Sequence, residues 1–362
     1  MTFRRYLVPG LVYMAVMVGG GYSTGREIVE FFISKGPATG LVGMAMTGLL
    51  MACVAVIAFE LARKYQTFDY RTFTTLLLGR SAPLFELGYF ALLLLVLSVI
   101  TAAASTLGAR LIGSPPLVNS ILFICAVGWL AFYGSDVIEL VISAWATLFL
   151  CTYGLMVVVV LAKSGGHLSA TLASRPINCQ EAALAALTYS GYNIVVMPIC
   201  IYVARNFRCR SEALISGALV GPLILLPGFT LSIALAAFYP AVLSAPIPVS
   251  LVVTALNVPG LAVAVQLVIL TALLKSAVGL LHGLNERVAR AVRDQGGVMP
   301  QWMRAGAALI AMIVAVFLSA SFGIINLIKH GYRFSSYFFL AIFLLPLMTR
   351  GLWLAIGRAA GD

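Results

Sequence analysis

The chain has 362 residues, 62% of them hydrophobic and 10% charged, against roughly 25% charged in soluble domains. That composition excludes a soluble globular protein and leaves a polytopic membrane protein, with the lipid bilayer as its first partner. The formal net charge of +11 raises nucleic acid as a partner. The basic residues sit at the ends of apolar spans, however, where membrane topology accounts for them and no nucleic acid is needed.

In chain order, ten apolar runs have the length, about 20 residues, needed to cross a hydrocarbon core of roughly 30 Å. The first spans 6–34; it is apolar as far as Gly19-Gly20-Gly21 and then carries Ser23, Thr24, Arg26, Glu27 and Glu30. Arg4 and Arg5 ahead of it imitate a signal peptide, but the span is too long and lacks a small-residue cleavage site, so it reads as mature structure. Spans at 37–63, 82–110, 117–133 and 137–163 follow, with a polar, mildly amphipathic connector at 66–80. An external linker at 164–178 leads to a second group at 179–205, 211–239, 259–284, 303–321 and 335–357. The sixth span is interrupted as the first is, by Tyr189-Ser190-Gly191-Tyr192-Asn193 and then Pro198. Pro240, Pro246 and Pro248 mark a connector expected to hold a short external helix over the site, and 322–332 reads as an interfacial piece.

Lysine and arginine set the expected orientation. With the N-terminus inside, fifteen fall on cytoplasmic segments, from Arg4 and Arg5 to Arg350 and Arg358, and six fall outside. This satisfies the positive-inside rule with both termini cytoplasmic, in a bacterial inner membrane. Five spans per half make residues 1–163 and 179–362 face opposite ways, so a repeat relating them is inverted in topology. The expected fold is an all-α integral membrane bundle of ten helices in a 5+5 inverted repeat, self-sufficient as a monomer.

The two interruptions carry the functional signal. Backbone that leaves the helix inside a bilayer is tolerated only where protein buries it or a watery cavity meets it. Corresponding breaks in two halves point to a solute site near the midplane. A broken helix offers N–H groups at one half's start and carbonyls at the other half's end, partners for a carboxylate and a cation. A small zwitterion is the natural ligand, and Gly19, Gly20 and Gly21 let the backbone approach it. Tyr189, Ser190, Tyr192 and Asn193 add an aromatic wall with hydroxyl and amide groups, the mix that small-ligand pockets use; the plainer reading has them satisfying loosened backbone. Ser98 and Thr101 (with Ser105) are candidates to face the same cavity, although small hydroxyl residues in membrane helices usually pack.

Other chemistries find no support. The six cysteines lie mostly inside spans without a CxxC pair, so neither disulfides nor a metal site is expected. There is no HExxH, and the glycine run follows an apolar helix rather than a strand, so no enzyme and no cofactor are expected.

The glycine-broken first helix, the Lys35-Gly36-Pro37 turn and a long second helix ending Ile57-Ala58-Phe59-Glu60-Leu61-Ala62-Arg63-Lys64-Tyr65 resemble the leucine-transporter (LeuT) fold of the amino acid–polyamine–organocation superfamily. More narrowly, Ser23-Thr24-Gly25-Arg26-Glu27-Ile28-Val29-Glu30-Phe31-Phe32 and Tyr192-Asn193-Ile194 look like YkvI-type bacterial membrane proteins. The resemblance implies that helices 1, 2, 6 and 7 move against 3, 4, 8 and 9, with the solute between them. In many relatives a Gln stands where this chain has Arg26. In sodium symporters of the fold, helix eight supplies two adjacent hydroxyl residues to a sodium ion beside the first break. Aligned on Ala272, this chain has Lys275 and Ser276 there, so an ammonium is expected to replace the sodium.

Lys275 lies roughly 13 Å from the inner end of its span at 1.5 Å per residue. A charge at such depth costs roughly 2.5–3.5 kcal/mol without a partner or a cavity. It reads either as a coupling group or as a fixed strut to the first span. Arg26 and Glu30, four apart, can meet on one helix face. They read as an ion pair closing the outer vestibule or, with Glu27, as a solute clamp. Glu60 is placed in a cytoplasmic gate with Arg63 or Arg205, while Glu86 and Glu139 lie near span ends within reach of solvent. The expected function is sodium-independent secondary transport, by proton coupling or exchange, of a small amino-acid-like solute. The alternative is a receptor subunit of the same fold that senses the solute without moving it.

Overall fold

The computed structural model describes residues 5–133, 135–294, 296–297 and 299–357, and the side chains of 132–147 and 294 lie outside the description. Arg4, Arg358 and the Glu139 side chain therefore lie outside the described residues. Among those described, every regular element is helical. Six helices are long and apolar enough to cross a membrane, and a seventh span forms if Cys179–Asn193 and Val196–Asn206, bent by 49°, are taken together. The chain is a multi-pass membrane protein.

The first run breaks twice. Helix α1 (Val8–Met17) stops where Gly19 turns extended (φ −99°, ψ −165°); one turn, α2 (Gly20–Ser23), follows. Gly25, at φ +76°, then redirects the chain into α3 (Arg26–Phe31). That left-handed conformation suits glycine, and a Cβ there would also lie 2.9 Å from Val249. The glycine run alone thus makes only the first of two bends. Gly36, at φ +107°, and Pro37 at the first turn start α4 (Pro37–Tyr65), proline fitting where no N–H partner is needed.

Helix α5 (Tyr70–Leu78) occupies the expected amphipathic connector, capped by Asp69, whose carboxylate accepts from Arg71 and Thr72 N–H at 3.0 Å each. Then come α6 (Ala82–Ile112), α7 (Pro116–Tyr133) and α8 (Ser135–Ala173). The linker expected at 164–178 is partly helical, because α8 continues to Ala173 past a kink at Ser164 (φ −130°). Lys163 bonds the Leu256 carbonyl there at 2.8 Å. Helices α9 (Cys179–Asn193) and α10 (Val196–Cys200) form the bent segment; the interruption expected at 189–193 is helical instead, and the bend falls just after it, at 194–195. The remaining long helices are α11 (Arg210–Ala236), α13 (Pro259–Asp294) and α14 (Gln301–Asn326), with a short α12 (Pro248–Leu256) before α13.

The stretch 322–332, expected as an interfacial piece, is helical for most of its length. After one non-helical residue, Gly323 (φ +66°), the chain winds on in helical turns through Tyr332 into α15 (Arg333–Phe339) and further turns ending in α16 (Leu352–Ile356). Leu327, Ile328 and Tyr332 are buried, while Asn326, Lys329 and His330 stay exposed.

Glycines set the closest helix approach. A Cβ on Gly221 would sit 2.3 Å from the Gly48 carbonyl oxygen, and one on Gly217 2.6 Å from Val56 Cα, so α11 and α4 meet backbone to backbone. Gly191 meets Ser336 in the same way, at 2.7 Å from its carbonyl oxygen. These contacts bring α9 against α15 and α11 against α4 around the two breaks.

Candidate functional site

The breaks face a common cavity of about 450 Å³. Gly19, Gly20, Gly21 and Glu27 line it from the first segment, Tyr192 and Asn193 from the second, and Lys275 and Ser276 from α13. A wall of Leu92, Leu93, Val96 and Ile100 comes from α6. The residues are chemically mixed: one carboxylate, one ammonium, an amide and hydroxyls in an otherwise apolar hollow, the pattern of small-molecule sites.

Helix α13 is fastened to the first break. The Gly20 N–H donates to Ser276 Oγ at 2.9 Å, and a Cβ on Gly20 would lie 3.0 Å from Leu273 Cα. Ala272, Leu273 and Ser276 therefore lie against the break. Glu27 is 6% exposed and accepts from Tyr192 Oη at 2.7 Å, a bond that joins the two broken segments. Tyr13 joins them again, its Oη donating to the Asn193 carbonyl at 2.9 Å. Replacing Tyr13 with Phe leaves that buried carbonyl without a donor, at an expected cost of about 1–3 kcal/mol, readable as an earlier thermal melt.

Several expected site residues face elsewhere. Ser23 and Thr24 turn back on their own segment, donating to the Gly20 and Gly21 carbonyls at 2.7 and 2.6 Å. Ser98 and Thr101 are buried and bond the carbonyls one turn back, Leu94 at 2.7 Å and Leu97 at 2.8 Å. Tyr189 and Ser190 are buried outside the lining, their hydroxyls without hydrogen-bond partners among the described residues. Tyr189 packs against Phe31, Phe32 and Tyr192. Asn193 does both things weighed for it: Nδ2 donates to the Tyr189 carbonyl at 2.9 Å while the residue lines the cavity.

Arg26 closes the side beneath α12. Its guanidinium binds Glu30 at 2.7 Å and the Leu243 and Ala245 carbonyls at 2.7 and 3.2 Å, and Arg333 stands 3.9 Å from Glu30. The Val249 N–H donates to the Thr24 carbonyl at 3.1 Å, so α12 sits directly on the break. At the opposite end the cavity continues. Tyr89, Ile199 and Gly283 line both it and a second hollow of about 780 Å³ that carries Arg71, Arg205 and Arg287. Arg287 pairs with Glu86 at 2.9 Å and lies over the rings of Tyr89 and Tyr70 at 3.7 and 4.4 Å. Glu60 is buried at this end with Arg63 at 2.8 Å and Arg210 at 3.7 Å. Arg205, the other partner expected for it, stacks on Phe68 instead.

The sequence reading missed Tyr22, Tyr89 and Tyr332, all of which line the cavity. Tyr22 adjoins the glycine run and was within reach of a sequence argument. Tyr332 is brought in only by the turn at Gly323.

No protein-family model and no curated protein sequence matches the chain. Solved structures do. A manganese transporter of Eremococcus coleocola (mutant H236A) superposes with TM-score 0.59 at 17% identity, over 96% of this chain and 78% of that one. MhsT bound to L-phenylalanine gives 0.59 at 16%, over 96% of each chain. A sodium-coupled sialic acid symporter gives 0.53 at 15%, over 94% of this chain and 86% of the other. The chain shares the LeuT fold with these three.

Proposed function

We propose that the protein is a secondary transporter that carries a small amino-acid-like or zwitterionic solute across a bacterial inner membrane by alternating access, without sodium. One observation carries this reading: both helix breaks line a single cavity that presents a carboxylate, Glu27, and an ammonium, Lys275. Charges of both signs in a largely apolar hollow fit a ligand that bears both. The ten-span count, the 5+5 inverted repeat of 1–163 and 179–362, and the inside position of both termini belong to the same proposal. They rest on hydropathy, on the basic-residue count and on the two matching breaks.

The shape of the site favours transport over sensing. A receptor subunit that reads an external solute needs its cavity open outward. Here the end assigned to the outside is shut by Arg26, Glu30 and α12, while the cavity joins a hollow toward the arginine-rich inner end. That arrangement is one of the two states alternating access requires.

Sodium independence follows from Lys275 beside Ser276, where an ammonium repels a cation by charge and excludes it by bulk. Solute binding to the purified protein is expected to be equal in sodium and in choline buffer. Thermal melts against a panel of amino acids and amines measure this, since a ligand at 100 times its Kd stabilises by about 2.7 kcal/mol. A sodium-dependent rise in affinity would sink the claim. Solute accumulation in proteoliposomes, or its absence, separates transporter from receptor.

A further inference from the structure

We infer that the cavity orients its solute with the ammonium at Glu27, inside a group of tyrosine rings, and that the solute is an amine with a branched or aromatic apolar body. The inference rests on the zwitterion reading above and adds which end binds where. It begins from the acceptors that this chain has already used. A broken helix offers free carbonyls to a cation, and here several of those at the breaks already hold a donor from the chain itself. Ser23 Oγ takes the Gly20 carbonyl, Thr24 Oγ1 that of Gly21, Tyr153 Oη that of Ser23, the Val249 N–H that of Thr24, and Tyr13 Oη that of Asn193.

Glu27 is the carboxylate on the cavity lining, and it has capacity left. An ionised carboxylate accepts at about four sites, and Glu27 has one described donor, Tyr192 Oη. Its neighbour Arg26 is committed to Glu30. Its second oxygen lies over Gly21, where a Cβ would stand 2.2 Å from Oε1 and 3.7 Å from Tyr332 Oη; glycine leaves that space clear. The surroundings suit an organic ammonium. Tyr192 and Tyr332, which both line the cavity, lie with centroids 4.6 Å apart. Ring faces attract such a cation, and they offer a small inorganic ion few of the oxygens it needs. The α6 wall of Leu92, Leu93, Val96 and Ile100 gives the apolar body its place, and Lys275 faces the carboxylate.

The test uses three molecules with one branched body: L-leucine, 3-methylbutylamine and 4-methylpentanoate. Thermal melts of the wild-type protein are expected to rise most with the amino acid and less with the amine or the acid, each of which keeps one of the two charge contacts. Glu27→Gln, which keeps the volume and an acceptor for Tyr192, is expected to remove the amine's shift, to reduce the amino acid's and to leave the acid's. An acid that stabilises as well as the amino acid overturns the orientation while leaving the transport reading intact. So does an amine shift that persists in Glu27→Gln. If none of the three moves the wild-type melt, the zwitterion reading itself fails and the orientation falls with it.

Discussion

Replacing Lys275 with methionine is expected to weaken solute binding roughly 30-fold to several-thousand-fold, the equivalent of the 2–5 kcal/mol lost when one side of a buried charge pair is removed. Methionine, one heavy atom shorter, keeps most of the apolar stem of lysine, so the wall of α13 largely keeps its shape and the change mainly removes the charge. Ser276 still holds the Gly20 N–H at 2.9 Å, so the first break stays fastened. Titration of the detergent-purified variant with its best ligand measures the effect. A change below threefold would mean that Lys275 is a strut and has no part in binding. A second substitution at the same place tests the sodium argument from the other side. Lys275→Thr removes the ammonium and puts a hydroxyl next to Ser276. Binding by that variant is expected to become sodium-dependent, and continued indifference to sodium would break the comparison with sodium symporters.

Gly221→Ala is expected to destabilise the fold by about 1–3 kcal/mol or more, the range for forcing extra volume into packed helices. The new methyl would meet the Gly48 carbonyl oxygen at 2.3 Å and Ala52 Cβ at 3.0 Å. Neither is the far end of a flexible side chain, so α11 and α4 must part along their whole contact. Gly306→Ala is the matched control. Nothing lies within 4 Å of a Cβ there, and Gly306 sits within α14. Helix propensity favours alanine over glycine by up to about 1 kcal/mol, so this variant is expected to melt at or above the wild-type temperature. Equal melts for the two variants would show that the α4–α11 contact is looser than its geometry indicates.

The sequence by itself determined the class, the place of the first break and the chemistry beside it. Composition leaves no soluble alternative, and a glycine run interrupts an apolar helix, so 19–21 was legible without coordinates, whereas 189–193 winds on as helix and the second bend falls after it, at 194–195. Glu27, Tyr192, Asn193, Lys275 and Ser276 were legible too, because polar groups at that depth are costly unless a cavity or partner receives them. The structure decided which polar groups face the hollow. Ser98, Thr101, Ser23 and Thr24 satisfy nearby carbonyls instead, a local bond that spacing alone does not separate from a ligand contact. Arg26 and Glu27 are consecutive yet point to opposite sides of the site, one to the carbonyls before α12 and the other to Tyr192. Their divergence depends on the bends at Gly19 and Gly25, and the second lay outside the glycine run. Tyr332 enters from more than a hundred residues away, through the turn at Gly323. Side-chain period follows from the chain, but the direction of a helix after a break is fixed by what packs against it, and here that is α12, α13 and the second broken segment.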